Sequence, residues 1–297
     1  MGAGFATLVG KVLVYKGTMR GFLIIAGVAM PGIAVAQAPD PAHSPGFVHI
    51  DRYDATSVGG GDITYVALDD EGLADDVTIL RFQLGGRYVD QASRLGGYLN
   101  LPITYASGDG ESLTGIGNLE IGGLMLPKIG DGSMALVLHA GITLPIGSDG
   151  EDAFANLFGA VARPQDIYLA LPEATTLRIG ASPMWRSGNV FGRVDLGLDY
   201  NIDVGNTSEE ADPLVHINAG IGVDLGTAAV MGELSNVYIF SDDDDDDFSD
   251  RMINVFALSA RFSTGKAMPY VSLTIPIDGD SREAIDLAFT AGVEARL

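Results

Sequence analysis

The sequence predicts an all-β fold: a transmembrane antiparallel β-barrel of about 12 strands, with short periplasmic turns and long acidic extracellular loops. Three observations predict it. The strands are long and two-faced, their charges keep to one face, and the connections alternate between short and long. The first shows best in Thr175–Ile202. Leu177, Ile179, Ala181, Pro183 and Trp185 share one parity, and Arg178, Ser182 and Arg186 share the other. Ser187-Gly188-Asn189 then supplies a tight turn, because Gly and Asn tolerate the left-handed backbone of two-residue hairpins. Beyond it Val190, Gly192, Val194, Leu196, Leu198, Tyr200 and Ile202 oppose Phe191, Arg193, Asp195, Asp199 and Asn201. Each arm runs about 11–13 residues, against about 5–6 in soluble sheets and about 9–11 for a tilted strand crossing a bilayer.

The 297 residues are 47% hydrophobic yet carry a formal charge of −22, with 40 glycines and no cysteine. After the amino terminus no apolar run is long enough for a helical membrane span. Without cysteine there is no disulfide framework. The acidity argues against nucleic-acid binding, which needs Lys and Arg patches to neutralise phosphates. Residues 1–36 read as an export signal. Lys11, Lys16 and Arg20 precede an apolar segment from Gly21 to Met30, and Ala34-Val35-Ala36 is a small-x-small cleavage pattern. Met19 is an alternative start, and the mature chain is expected to begin near Gln37. Residues 37–57 hold three prolines and little alternation. They suit either a leader or plug inside a barrel mouth or a tail outside it, and both readings stand open. The barrel is expected over 58–297.

In order, the predicted strands are Gly61–Leu68, Val77–Val89, Leu95–Tyr105, Gly115–Leu126 and Met134–Ile146, then the hairpin already described. Leu214–Leu225, Ala228–Phe240, Met252–Ser263, Met268–Ile277 and a last strand from Ile285 to Leu297 follow. The second sets Leu80, Phe82, Leu84 and Tyr88 against Arg81, Gln83 and Arg87. The third sets Leu95, Leu99, Leu101, Ile103 and Tyr105 against Tyr98, Asn100 and Thr104. From the second strand on, every charged residue or histidine within these spans lies on the non-apolar parity. A charge on the lipid face near mid-membrane costs about 2–4 kcal/mol, so a bilayer enforces such segregation. A half-solvated soluble sandwich also keeps charge to one face, and the connections separate the two. Asp90–Arg94, Pro127–Ser133, Ser187–Asn189, Gly226–Thr227 and Thr264–Ala267 are short. Asp69–Asp76, Ala106–Thr114, Gly147–Ala174, Asp203–Pro213, Ser241–Asp250 and Asp278–Glu283 are long or acidic. Short periplasmic turns and longer outer loops are the barrel pattern. Tyr105, Tyr200, Tyr238 and Phe240 at the long-loop ends, with Tyr88, Trp185 and Phe262 at the other, suit two interfacial girdles.

Gly115-Ile-Gly-Asn-Leu-Glu-Ile-Gly-Gly and Gly141-Ile-Thr-Leu-Pro-Ile-Gly resemble a family of bacterial outer-membrane proteins named after the meta-pathway of phenol degradation. Leu177-Arg-Ile-Gly-Ala-Ser-Pro and Arg193-Val-Asp-Leu-Gly-Leu-Asp look like further pieces of that pattern. The similarity runs from about Gly96 to the carboxyl terminus. It departs from the family at Asn118, where Asp is usual, and at Leu297, where outer-membrane strands often end in Phe. The resemblance implies a transporter-like barrel for small, aromatic or hydrophobic, compounds.

The inward parity nominates pore-lining residues: Arg81, Arg87, Glu120, His139, Arg178, Arg186, Arg193, Asp195, Asp199, His216, Glu233 and Arg261, with Asp224, Asp286, Glu294 and Arg296 nearer the ends. Opposite charges there either brace the wall or line a path, and rings of lumen charge set selectivity. Asp242, Asp243, Asp244, Asp245, Asp246 and Asp247 form a run that is either a solvated loop or a weak divalent-cation site for Ca or Mg. Such ions would bridge to outer-leaflet lipopolysaccharide. Within Gly147–Ala174, Ala153–Ala162 is apolar and either folds inward as a short constricting helix or packs on the rim. No zinc or nucleophile-elbow spacing occurs; His216 with Asp224 or Glu233 is the one faint catalytic pairing. The sequence therefore predicts a non-enzymatic outer-membrane channel of a Gram-negative bacterium without a cofactor. Its expected partners are lipid, a small solute and, through the last strand, the barrel-assembly machinery. An outer-membrane hydrolase and a structural or adhesive barrel are the alternatives.

Overall fold

The computed structural model describes residues 45–297 apart from 51–52, 69–76, 109–110, 128, 130–133, 173, 205–212, 241–250, 280–281 and 283–284. Residues 1–44, with the stretch expected to be an export signal, and the Asp242–Asp247 run lie outside the described residues. The strands are β1 (Val58–Leu68), β2 (Thr78–Asp90), β3 (Leu95–Gly108), β4 in two halves (Glu111–Ile116 and Leu119–Met125), β5 (Met134–Leu144) and β6 (Ala174–Ser187). They continue as β7 (Val190–Val204), β8 (Leu214–Asp224), β9 (Ala228–Ile239), β10 (Met252–Phe262), β11 (Ala267–Pro276) and β12 (Ile285–Arg296). Each pairs antiparallel with its successor, and β12 returns to β1 with Tyr65 opposite Phe289 and Asp62 opposite Gly292. Twelve strands thus close a barrel among the described residues.

The predicted parity decides which way each face points. Leu84, Leu196, Leu258 and Phe289 stand about half exposed on the outside, while Arg178 and Arg193 are 1% exposed within. A barrel turned this way presents an apolar belt outward and polar groups inward, as a lipid environment demands. Among the described residues no helix is long and apolar enough to cross a membrane; the crossing elements are the strands. Gly188, Gly226 and Gly265, with φ of +59°, +90° and +75°, sit in the short turns, where a side chain would be strained.

The fourth strand departs from its prediction. It breaks at Gly117-Asn118, and its first half pairs with β3 alone. A Cβ on Gly117 would lie 2.7 Å from the Leu169 carbonyl and 2.5 Å from Pro102, so the chain there closes too tightly for a side chain. The cause is the loop after β5, which turns into the barrel instead of capping it. That loop carries helix α1 (Gly150–Val161) and a 3-10 turn (Pro164–Leu169). Glu151 and Asp152 in its first turn suit the positive end of the helix dipole, and Pro164 ends it, because the residue before proline avoids helical backbone. Ala153, Ala155, Asn156, Gly159 and Ala160 are its buried face, all but Asn156 being alanine or glycine. These small residues let it fit inside a narrow cylinder: Thr104 of β3 lies 2.7 Å from where a Cβ on Gly159 would be. Of the two readings of Ala153–Ala162, the inward helix is the one observed.

Candidate functional site in the lumen

Two segments meet in the lumen. From the short-turn end, residues 45–57 rise beside the wall to mid-barrel. Phe47, Val48, His49, Ile50, Tyr53 and Ala55 are all buried. Phe47 rests on Phe191 with ring centroids 5.3 Å apart, and Tyr53 stacks on His139 at 4.1 Å. From the opposite end come α1 and the 3-10 turn. Of the stretch 37–57, the described residues are 45–50 and 53–57, with Phe47, Ile50 and Tyr53 at most 3% exposed.

The amino-terminal segment makes no ladder with the wall and is held by side chains. Glu233 of β9 is the principal holder. Its carboxylate accepts the backbone N–H groups of Val48 at 3.1 Å, His49 at 2.7 Å and Ile50 at 2.9 Å. Three N–H groups thus converge on one carboxyl group. Arg261 donates to the Phe47 carbonyl at 3.2 Å. Arg87 donates to Asp54 at 2.9 Å and to the Thr56 carbonyl at 2.9 Å. Ser57 brackets the base of the segment, accepting from Val89 N–H at 2.9 Å.

A second node lies mid-barrel at Arg178 and Glu120. Glu120 Oε1 accepts the hydroxyls of Tyr53 (2.8 Å) and Tyr98 (2.9 Å), and Oε2 accepts Tyr168 (2.7 Å) and the Asn100 amide (3.0 Å). Arg178 donates to the Tyr53 hydroxyl at 2.8 Å, to Tyr168 and to the Gln165 carbonyl at 3.3 Å. It also approaches Asp199 at 3.1 Å and Glu120 at 3.8 Å. Tyr53 belongs to the amino-terminal segment, Tyr98 to the wall and Tyr168 to the inward loop. One buried ion pair therefore ties all three together. The two inner segments also touch directly, since Gln165 donates to the His49 carbonyl.

Of the predicted pore-lining residues, all but Arg186 are buried, none more than 7% exposed. Arg186 sits at the short-turn rim, paired with Asp224 at 2.7 Å. Asp286 and Arg296 are exposed at the barrel ends. Arg81 pairs with Asp166 of the 3-10 turn at 3.1 Å, Arg193 with Asp195 at 2.6 Å, and Arg261 with Glu294 at 2.5 Å. The suggested pairing of His216 with Asp224 or Glu233 is not what forms. His216 Nδ1 lies 3.4 Å from Asp199, and Nε2 lies 3.3 Å from Arg178, because strand register sets Asp224 at the rim and aims Glu233 at the segment. No group of three His, Cys, Asp or Glu able to hold a metal occurs among the described residues.

Residue-type reasoning missed Tyr53, Tyr168 and Gln165, none of them charged, and marked Asn118 only as a departure from the resembled family. Asn118 donates its amide to the carbonyls of Leu171 (2.7 Å) and Ala174 (3.2 Å) and accepts Gly147 N–H at 3.1 Å. A carboxylate could accept but not donate, so an amide at position 118 suits this loop path. Tyr98 and Asn100 had a visible signal: both are polar-tipped side chains on the lumen parity of a strand.

The fold has known counterparts. An outer membrane channel from Pseudomonas putida F1 superposes with a TM-score of 0.59 at 13% identity, over 82% of this chain and 96% of that one. This is an outer-membrane β-barrel fold. The translocator domain of the autotransporter NalP from Neisseria meningitidis gives a TM-score of 0.49 at 11% identity, over 82% of this chain and 89% of that one. Outer membrane phospholipase A from Escherichia coli gives 0.43 at 11% identity, over 81% and 92%. No family model matches the sequence, and the search of curated proteins returned no match.

Proposed function

We propose that this barrel is a channel of the Gram-negative outer membrane for passive uptake of small molecules, aromatic or hydrophobic ones among them, closed in this state by its own amino-terminal segment. One observation carries the reading. The segment occupying the lumen is held by side chains such as Glu233 and Arg87, with no strand pairing. It can leave without breaking a single wall ladder, and a barrel needed only as a scaffold has no use for such a detachable filling. Once it leaves, Arg87, Glu120, Arg178, Arg193, Asp195, Glu233 and Arg261 line the path, and their mixed signs set its selectivity. The likeness to the Pseudomonas channel and the resemblance to the phenol meta-pathway family support the same class of function. Residues 1–36 act as the export signal and are removed, and the aspartate run 242–247 serves divalent-cation bridging to lipopolysaccharide.

Planar-bilayer recording tests the reading. A chain beginning at Ser57 is expected to conduct in long, large openings, and one beginning at Gln37 only in brief or small ones. If neither passes current while both run as folded barrels on unheated gels, the channel reading is lost.

A further inference from the structure

We infer that the lumen face of β8 at Gly220 is a ring subsite, filled in this state by Phe47 and open to a solute once the segment leaves. The solute that fits is a single-ring aromatic whose short, uncharged arm both accepts and donates a hydrogen bond. By taking the place of Phe47 it holds the path open. This rests on the channel reading and adds to it a class of solute and a means of release. Glycines on the lumen face leave bare backbone, and the wall covers several of them with a ring from the residue directly opposite. Tyr98 covers Gly122, Phe191 covers Gly222 and Tyr270 covers Gly292, each pair in register on neighbouring strands. Gly220 breaks the pattern. Its partners across the two ladders are Arg193 and Glu233, and neither carries a ring. The three atoms nearest to a Cβ placed there all belong to the Phe47 ring, none beyond 3.0 Å. The wall therefore lacks one ring, and the segment supplies it. Phe191, Ala229, Met231 and Tyr270 share a buried apolar cluster with that ring.

The segment itself shows what the arm of a solute has to do. The Phe47 carbonyl accepts from Arg261 at 3.2 Å, and the next N–H, that of Val48, meets Glu233 at 3.1 Å. Ring, acceptor and donor thus follow one another along a short stretch of chain. 3-Phenylpropanamide carries the same three groups in the same order in one neutral molecule. A carboxylate in place of its amide keeps the acceptor but offers no donor, so its oxygens would face those of Glu233. The nearby cations are already engaged, Arg193 by Asp195 at 2.6 Å and Arg261 by Glu294 at 2.5 Å. A solute that binds only where Phe47 has left raises the share of that state as it fills the site.

The chain has no cysteine, so Val48→Cys is a lone reporter of undocking at a position 2% exposed. It keeps the Phe47 ring and carbonyl and the backbone N–H that meets Glu233. Its alkylation by a small neutral thiol reagent is timed in the mature chain in vesicles. 3-Phenylpropanamide is expected to speed labelling several-fold and saturably, and 3-phenylpropanoate to leave it unchanged. Adding Gly220→Ala puts a methyl group where the ring lies, so labelling should be fast from the start and indifferent to the amide. Adding Phe47→Ala instead leaves a ring-sized vacancy under a segment still held by Glu233. There benzene should slow labelling, because an apolar vacancy takes up a ring and the filled site holds the segment down. Equal acceleration by amide and carboxylate, acceleration that survives Gly220→Ala, or no response of Phe47→Ala to benzene overturns the subsite. The Phe47→Ala arm decides should Gly220→Ala fail to fold. Labelling needs no current, so the expected responses in a silent chain remove the channel reading alone, and their absence in a conducting chain removes the subsite alone.

Discussion

Glu233→Ala is expected to convert brief openings into sustained conductance while leaving the barrel folded. The substitution takes one acceptor from three buried N–H groups, those of Val48, His49 and Ile50. An unsatisfied buried donor costs about 1–3 kcal/mol. Even the low end of that range, summed over three, is about 3 kcal/mol, and every 1.4 kcal/mol is tenfold in an equilibrium. The undocked fraction of the segment should therefore rise by roughly two orders of magnitude. The wall loses little, because Glu233 sits in the middle of β9, whose ladders to β8 and β10 are backbone bonds. Open probability in planar bilayers reads the first effect, and mobility on unheated gels reads the second. An unchanged open probability in a folded variant would show that the carboxylate does not hold the segment.

Arg178→Met should act on stability instead. It removes the cation that faces Glu120 and Asp199, both at most 1% exposed, and takes a donor from Tyr53, Tyr168 and Gln165. Breaking one side of a buried pair costs about 3–5 kcal/mol, mostly through the charge left behind. Urea unfolding in lipid should show a loss of that order for Arg178→Met. The Arg178→Met/Glu120→Gln double variant should recover part of it, as coupled neighbours do. Strict additivity of the two single changes would mean that the ion pair is incidental. Because this pair binds both inner segments, Arg178→Met should also make the Pro164–Leu169 turn and the amino-terminal segment more susceptible to proteolysis together.

The wall was legible because lipid imposes a rule that acts residue by residue. Leu196, Leu198 and Phe289 face outward and Arg193 and Asp195 inward for a local reason, and alternation records it. The strand ends shifted by no more than a few residues, apart from β4. There Gly117-Asn118 reads as one more Gly-rich strand, and its break depends on a loop that arrives from Leu169. The filling of the lumen was not legible in the same way. Phe47, Val48, Ile50 and Tyr53 do not follow the two-residue alternation of a strand, and the segment's main holder, Glu233, lies 183–185 positions beyond the N–H groups it accepts. Parity showed that Glu120, Arg178 and Glu233 point inward. It could not show that Glu233 meets backbone N–H groups while Glu120 meets the hydroxyls of Tyr53 and Tyr168, since those partners come from segments without strand periodicity.

The most direct measurement holds the amino-terminal segment in place and asks whether current stops. His49 and Thr274 meet across the lumen, Nδ1 to Oγ1, at 3.3 Å, and the chain contributes no thiol of its own. His49→Cys with Thr274→Cys, joined by a short reducible bifunctional thiol reagent, should give a barrel silent in planar bilayers, with openings restored on reduction. Steady conductance through the cross-linked barrel, equal to that after reduction, would contradict the account.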